Sequence, residues 1–161
     1  MNNFIRPLAM AAGALWAASA HAGTSQIGNV YYEDIFAQKL CNNVSVCFAP
    51  SSATPAGVYL RMQHFYCTVA TSAPASLIVL ELQIYTAPPG TAGASLIKDV
   101  RLSFPTAVVD PNNNNVYNTD HDILLVTGPG RYVTFAAFPG QPTGLISLNC
   151  AITGDLIPLP Q

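Results

Sequence analysis

Ile78, Leu80, Leu82 and Ile84 alternate with Val79, Glu81, Gln83 and Tyr85. Successive side chains of a strand point to opposite faces, so this period of two predicts a strand with one buried face and argues against an amphipathic helix, whose period is 3.6. The same period returns in two further places. Val100, Leu102 and Phe104 alternate with Asp99, Arg101 and Ser103, while Ile146, Leu148, Cys150 and Ile152 share one face of residues 145–153. A Pro- and Gly-rich break at 87–93 separates the first two runs, which predicts an antiparallel pair. Residues 123–127 and 131–138 flank Gly128-Pro129-Gly130, a tight-turn signal.

Residues 57–70 are less regular, because Val58, Leu60 and Met62 share one parity and Phe65, Cys67 and Val69 the other. One extra residue near Gln63 and His64, a β-bulge, puts all six on the core side and leaves Arg61 outside. Residues 27–32 and 44–48 add two strands. Tyr32, Ile35, Phe36 and Leu40 fit helical spacing, with Glu33 and Asp34 first and Lys39 last, as the helix dipole prefers; this predicts one short helix over 31–40. The expected architecture is all-β: about eight strands in an antiparallel sandwich, immunoglobulin-like or jelly-roll-like. The final run, Leu156-Ile157-Pro158-Leu159-Pro160, is expected to cover a sheet edge.

The N-terminus supplies an address. Arg6, the apolar stretch over 7–20 and Ala20-His21-Ala22 describe a secretory signal peptide cleaved after Ala22. The stretch is too short to span a bilayer, which takes roughly 20 apolar residues. Residues 23–161 then form one domain, periplasmic, extracellular or at a cell surface. Export places Cys41, Cys47, Cys67 and Cys150 where disulfides persist. Four cysteines allow three pairings, and the preferred one joins Cys41 to Cys47 and Cys67 to Cys150. In the chain-entropy model the long loop is worth about 4 kcal/mol and the short one about 2. Zinc wants closer Cys/His spacing than Cys41, Cys47, His64 and Cys67 provide.

After the leader, Lys39, Arg61, Lys98, Arg101 and Arg131 face eight acidic residues. These scattered cations make no patch, which argues against nucleic acid and anionic membrane surfaces. Charged residues make up 9% of the chain, against about 25% in an ordinary domain. The surface is therefore built largely from Ser, Thr, Asn, Gln and Gly, as in many extracellular proteins.

Chemistry-bearing residues are few. Residues 110–122 are rich in Asp and Asn and fit the start of a calcium loop, but His121 stands where a bidentate Glu belongs. A looser Ca2+ site using Asp110, Asp120 and Asp122 is the metal candidate; the commoner reading is an Asn/Asp turn. Asp120-His121-Asp122 sets an imidazole beside carboxylates, yet adjacent strand residues point apart and no Gly-x-Ser-x-Gly nucleophile elbow accompanies them. No catalytic residue is assigned, and a hydrolase is the minor alternative. Seven tyrosines suit protein or sugar contacts, with Tyr85 the one expected on a solvent-facing strand position. The sole tryptophan, Trp16, leaves with the leader, which weighs against a sugar-binding module.

The runs Cys47-Phe48-Ala49-Pro50 and Pro55-Ala56-Gly57-Val58-Tyr59-Leu60, then Cys67, and finally Cys150-Ala151-Ile152-Thr153-Gly154-Asp155-Leu156-Ile157 resemble a pattern in small, exported, uncharacterised bacterial proteins. The resemblance implies export, β structure and paired cysteines, and no activity. The function expected is an exported non-catalytic binding or surface-associated protein, meeting an extracytoplasmic protein or glycan. The alternative is a structural subunit of an envelope or surface assembly.

Overall fold

The computed structural model describes residues 23–72, 76–104, 106–142 and 144–160; the expected leader lies outside them. Ten strands and no helix are found among these residues: β1 (Gly23–Ile27), β2 (Val30–Asn42), β3 (Cys47–Ala53), β4 (Val58–Ser72), β5 (Leu77–Tyr85), β6 (Leu96–Leu102), β7 (Val108–Val109), β8 (Asn114–Thr127), β9 (Tyr132–Pro139) and β10 (Leu145–Pro158). Six form a larger sheet in the order β1-β2-β10-β4-β8-β7, and four a smaller one in the order β3-β9-β5-β6. Every pairing is antiparallel.

The strand order follows from a nested arrangement. β2 pairs with β10, β3 with β9, β4 with β8 and β5 with β6, and successive pairs fall in alternate sheets. Chain neighbours therefore seldom pair. Residues 78–85 and 100–102 do belong to an antiparallel pair, β5 and β6, as their alternation predicts, whereas Ser103 and Phe104 lie beyond the end of β6. Gly128-Pro129-Gly130 closes no hairpin; it carries the chain from β8 in the larger sheet to β9 in the smaller.

β4 carries the expected bulge. Thr153 of β10 faces His64 while Gly154 faces Met62, so Gln63 is the extra residue. Leu60, Met62, Phe65, Cys67 and Val69 are consequently all buried, with Val58 half-buried beside them. Gly154 makes this possible: a Cβ there would lie 2.2 Å from the Arg61 carbonyl oxygen. No side chain fits against backbone at that distance.

Three expectations are corrected. The short helix over 31–40 is absent, because those residues lie in β2, which pairs with β1 on one side and β10 on the other. Both ladders satisfy its backbone groups, and this tertiary pairing overrides a helical spacing of apolar residues. The strand count is ten instead of about eight: Gly28, at φ +60°, and Asn29 break the first strand into the β1–β2 hairpin, and Val108–Val109 adds a two-residue edge strand. The C-terminal run covers no edge. It continues β10, a central strand, with Leu156 in the core and Pro158 opposite Val58.

The two sheets share one core. Phe65 of β4 and Phe135 of β9 meet across it with ring centroids 5.7 Å apart. A disulfide joins Cys41 of β2 to Cys47 of β3, linking the sheets, and a second joins the register partners Cys67 and Cys150 on neighbouring strands. Both fit an oxidising, extracytoplasmic compartment. Farther along the same two strands, Glu33 is fully buried; the Tyr31 hydroxyl donates to one carboxylate oxygen and the Ser52 N–H to the other at 2.5 Å. Burial, reinforced by this carboxylate, holds the Tyr31 phenol far above the ordinary tyrosine range.

Candidate functional site

The polar side chains that the fold brings together lie on the outer face of the larger sheet. Alternation along β8 turns Asn118, Asp120 and Asp122 outward, and the β4 bulge turns Gln63, His64, Tyr66 and Thr68 to the same side. Register sets His64 opposite Asp122 and Tyr66 opposite Asp120. His64 Nε2 is 3.0 Å from Asp120 Oδ1 and its Nδ1 is 3.0 Å from Asp122 Oδ1. Only the imidazolium form donates to both carboxylates at once. The ring is thus fixed by its two neighbours in a clamp that spans the β4–β8 ladder.

Fixed hydrogen bonds continue on either side. The Tyr66 hydroxyl lies 2.6 Å from Thr68 Oγ1, which donates to Asn118 Oδ1 at 2.7 Å, so Tyr66 is the donor in the first bond. Beyond the bulge, Arg61 Nη2 and Gln63 Nε2 both donate to Asp155 Oδ2, at 2.5 and 2.6 Å. Tyr66 remains 42% exposed amid these partners. The face presents a flat, preordered field of donors, acceptors and one aromatic ring.

The residues singled out from sequence are dispersed. Asp110 sits in the turn before β8, where its Oδ1 accepts from the amides of Asn112 and Asn114 at 2.8 Å each, and its Oδ2 from Asn114 Nδ2 at 2.9 Å. Those bonds, the Asn114 side chain first, hold its carboxyl below the usual aspartate value. Asp120 lies six positions along β8 from Asn114, about 20 Å at 3.3 Å per residue, so the structure does not bring Asp110 to Asp120 and Asp122. Among the described residues no three His, Cys, Asp or Glu side chains are grouped to hold a metal ion. His121 faces away from its neighbours Asp120 and Asp122, with its ring 5.9 Å from Phe65 and its Nε2 3.3 Å from the Ser103 carbonyl oxygen.

Tyr85 lies on the outer face of the smaller sheet and is half-buried, edge-on to Phe48. Its hydroxyl donates to Gln83 Oε1 at 2.9 Å, and Gln83 Nε2 to Glu81 Oε2 at 2.7 Å. Partial burial, then the Glu81 charge, raises its phenol above the ordinary value. Among the tyrosine side chains described, Tyr59 and Tyr66 are more exposed. The signal for Tyr66 was present in the parity change across the bulge, which turns Phe65 inward and so Tyr66 outward. Nothing in the sequence set His64 beside Asp120 and Asp122, because that contact depends on the β4–β8 register.

No family model matches the chain, and no curated protein or solved structure shows significant similarity to it.

Proposed function

We propose that this chain is an exported, non-catalytic binding protein of the periplasm or cell surface, whose recognition surface is the outer face of the larger sheet. The eight long strands, β2-β10-β4-β8 against β3-β9-β5-β6, have the order of a jelly roll, with β1 and β7 added at the edges. Jelly rolls serve many roles, so the argument rests on the site and not on the fold. The observation that carries it is the His64 clamp beside the exposed Tyr66: polar groups already held in place lose little freedom when a partner arrives. An extracytoplasmic protein or a glycan suits a surface rich in hydrogen bonds and poor in net charge.

Crosslinking in the native envelope, with a glycan array beside it, tests the reading. Tyr66→Ala and Asp120→Asn are expected to abolish capture of the partner while shifting stability by less than about 1 kcal/mol, since the ion pairs are exposed. Capture unchanged in both variants refutes the assigned face, and a hydrolytic activity that disappears in Asp120→Asn refutes the non-catalytic reading.

One observation favours a structural subunit of a surface assembly. The edge strands carry bare apolar side chains, Ile27 at the end of β1 and Leu96 and Ile97 on β6. Concentration-dependent association on gel filtration supports assembly, and a strict monomer that captures a partner supports the binding protein.

A further inference from the structure

Along one side of the molecule the two sheets leave their edges free. Among the described residues, β6, the last strand of the smaller sheet, pairs only with β5, and the second half of β8 has β4 on one side and no strand on the other, because β7 pairs only with Asn115 and Val116. Between these edges lies a cleft of about 190 Å³, with Ile84, Ile97 and Val126 as its apolar lining, Thr127 in its wall, and Lys98 and Arg131 as its cations.

Two observations mark the cleft as more than a gap. The first is charge. In a mildly acidic protein, Arg61 is held by Asp155 and Arg101 by Glu81, whereas Lys39, Lys98 and Arg131 make no ion pair among the described residues, and the last two come together in this cleft. A lysine on an edge strand is explained by protection against strand pairing, but Arg131 comes from the turn between β8 and β9 and has no such explanation. The second is the backbone of β6, whose groups facing away from β5 have no strand partner among the described residues.

We propose that this cleft binds the carboxy-terminal end of an extended peptide. The terminal carboxylate lies between Lys98 and Arg131, and the last apolar side chain packs on Ile84, Ile97 and Val126. The preceding residues add to β6 as a further strand, using its unpaired backbone groups. Size selects this occupant: the cleft is smaller than the roughly 300–1,000 Å³ of drug-sized ligand pockets and takes one terminal residue, the rest of the peptide lying along the edge. The site is separate from the outer-face clamp, so either assignment survives failure of the other.

A free short-chain acid offers the same carboxylate and hydrocarbon, and the experiment separates the two sources. The purified protein is titrated, with amide NMR as readout, against an acetylated pentapeptide of threonine and valine ending in a leucine carboxylate, its C-terminal amide, and hexanoate. The free-acid peptide is expected to saturate the site and slow hydrogen exchange along β6, with the amide and hexanoate each weaker by about tenfold or more. Lys98→Gln and Arg131→Gln each weaken the peptide by about tenfold without lowering the melting temperature, and Tyr66→Ala leaves it unchanged. Equal binding of acid and amide overturns the proposal. So does hexanoate matching the peptide, unaltered β6 exchange, undiminished binding in both cation variants, or no saturation below about 1 mM, the weak end of ordinary affinities.

Discussion

The seam between the two sheets is built differently on its two sides. On the β2–β3 side it is fastened: the Cys41–Cys47 disulfide crosses it, and the buried Glu33 carboxylate joins the Tyr31 hydroxyl and the Ser52 amide across it. On the β6–β8 side, Leu96 and Ile97 are half-exposed and two cations stand without ion-pair partners among the described residues. A small domain needs one side held firmly enough that the other can stay unfinished. The stability that cross-links and satisfied buried groups provide on the first side permits exposed apolar surface and free backbone on the second.

The largest test of this contrast is at Glu33. Glu33→Ala leaves the buried Tyr31 hydroxyl without its acceptor and removes the bond from the Ser52 N–H; at about 1–3 kcal/mol for a stranded buried group and about 1 for an ordinary hydrogen bond, the expected loss is on the order of 3 kcal/mol in urea unfolding. A loss below about 1 kcal/mol, the worth of an ordinary net hydrogen bond, denies that the carboxylate fastens this side. The disulfide ranks next. Replacing Cys41 and Cys47 together by alanine opens a short loop and is expected to cost about 2 kcal/mol. On the opposite side Ile97→Thr changes a half-exposed edge residue, and stability is expected to move by no more than about 0.5 kcal/mol. A cost at Ile97 equal to that at the disulfide erases the asymmetry.

The interior was readable in the sequence where alternation met a single buried face. The parity change between Met62 and Phe65 located the bulge, because only an extra residue keeps both halves of β4 on the core. The fastened side was misread for a physical reason. Tyr32, Ile35, Phe36 and Leu40 happen to follow a period near 3.6, and what makes the segment a strand is its pairing with β10, more than a hundred residues later. Glu33 gave no sign of burial either, since its partner Ser52 lies on another strand. The outer-face clamp and the open cleft were hidden for the same reason. His64 meets Asp120 and Asp122 through register, and the cleft gathers side chains from β5, β6, β8 and the following turn. Local periodicity reports which way a side chain points, and says nothing of which strand lies beside it.

The smallest effect concerns how the open side is closed farther along. There the chain between β6 and β7 crosses β8: Thr119 Oγ1 donates to the Ser103 carbonyl at 3.0 Å, and Phe104 packs edge-on against Tyr117. Asp110 then turns the chain into β8 by accepting from the Asn112 and Asn114 amides and the Asn114 side chain. Its carboxyl is lowered by those bonds, so the turn is favoured fully above the ordinary aspartate pKa of about 3.9, and the advantage is lost as pH falls through the lowered value. Amide exchange at Val108 and Val109 is therefore expected to stay slow as pH passes the ordinary value and to quicken only below it, after correction for the intrinsic pH dependence. Asn114→Ala removes the largest of the lowering bonds and brings the Asp110 titration, followed by NMR, back toward the ordinary value. An Asp110 that already titrates there in the parent chain leaves this half of the seam without its fastening and makes the whole β6–β8 side as loose as the cleft.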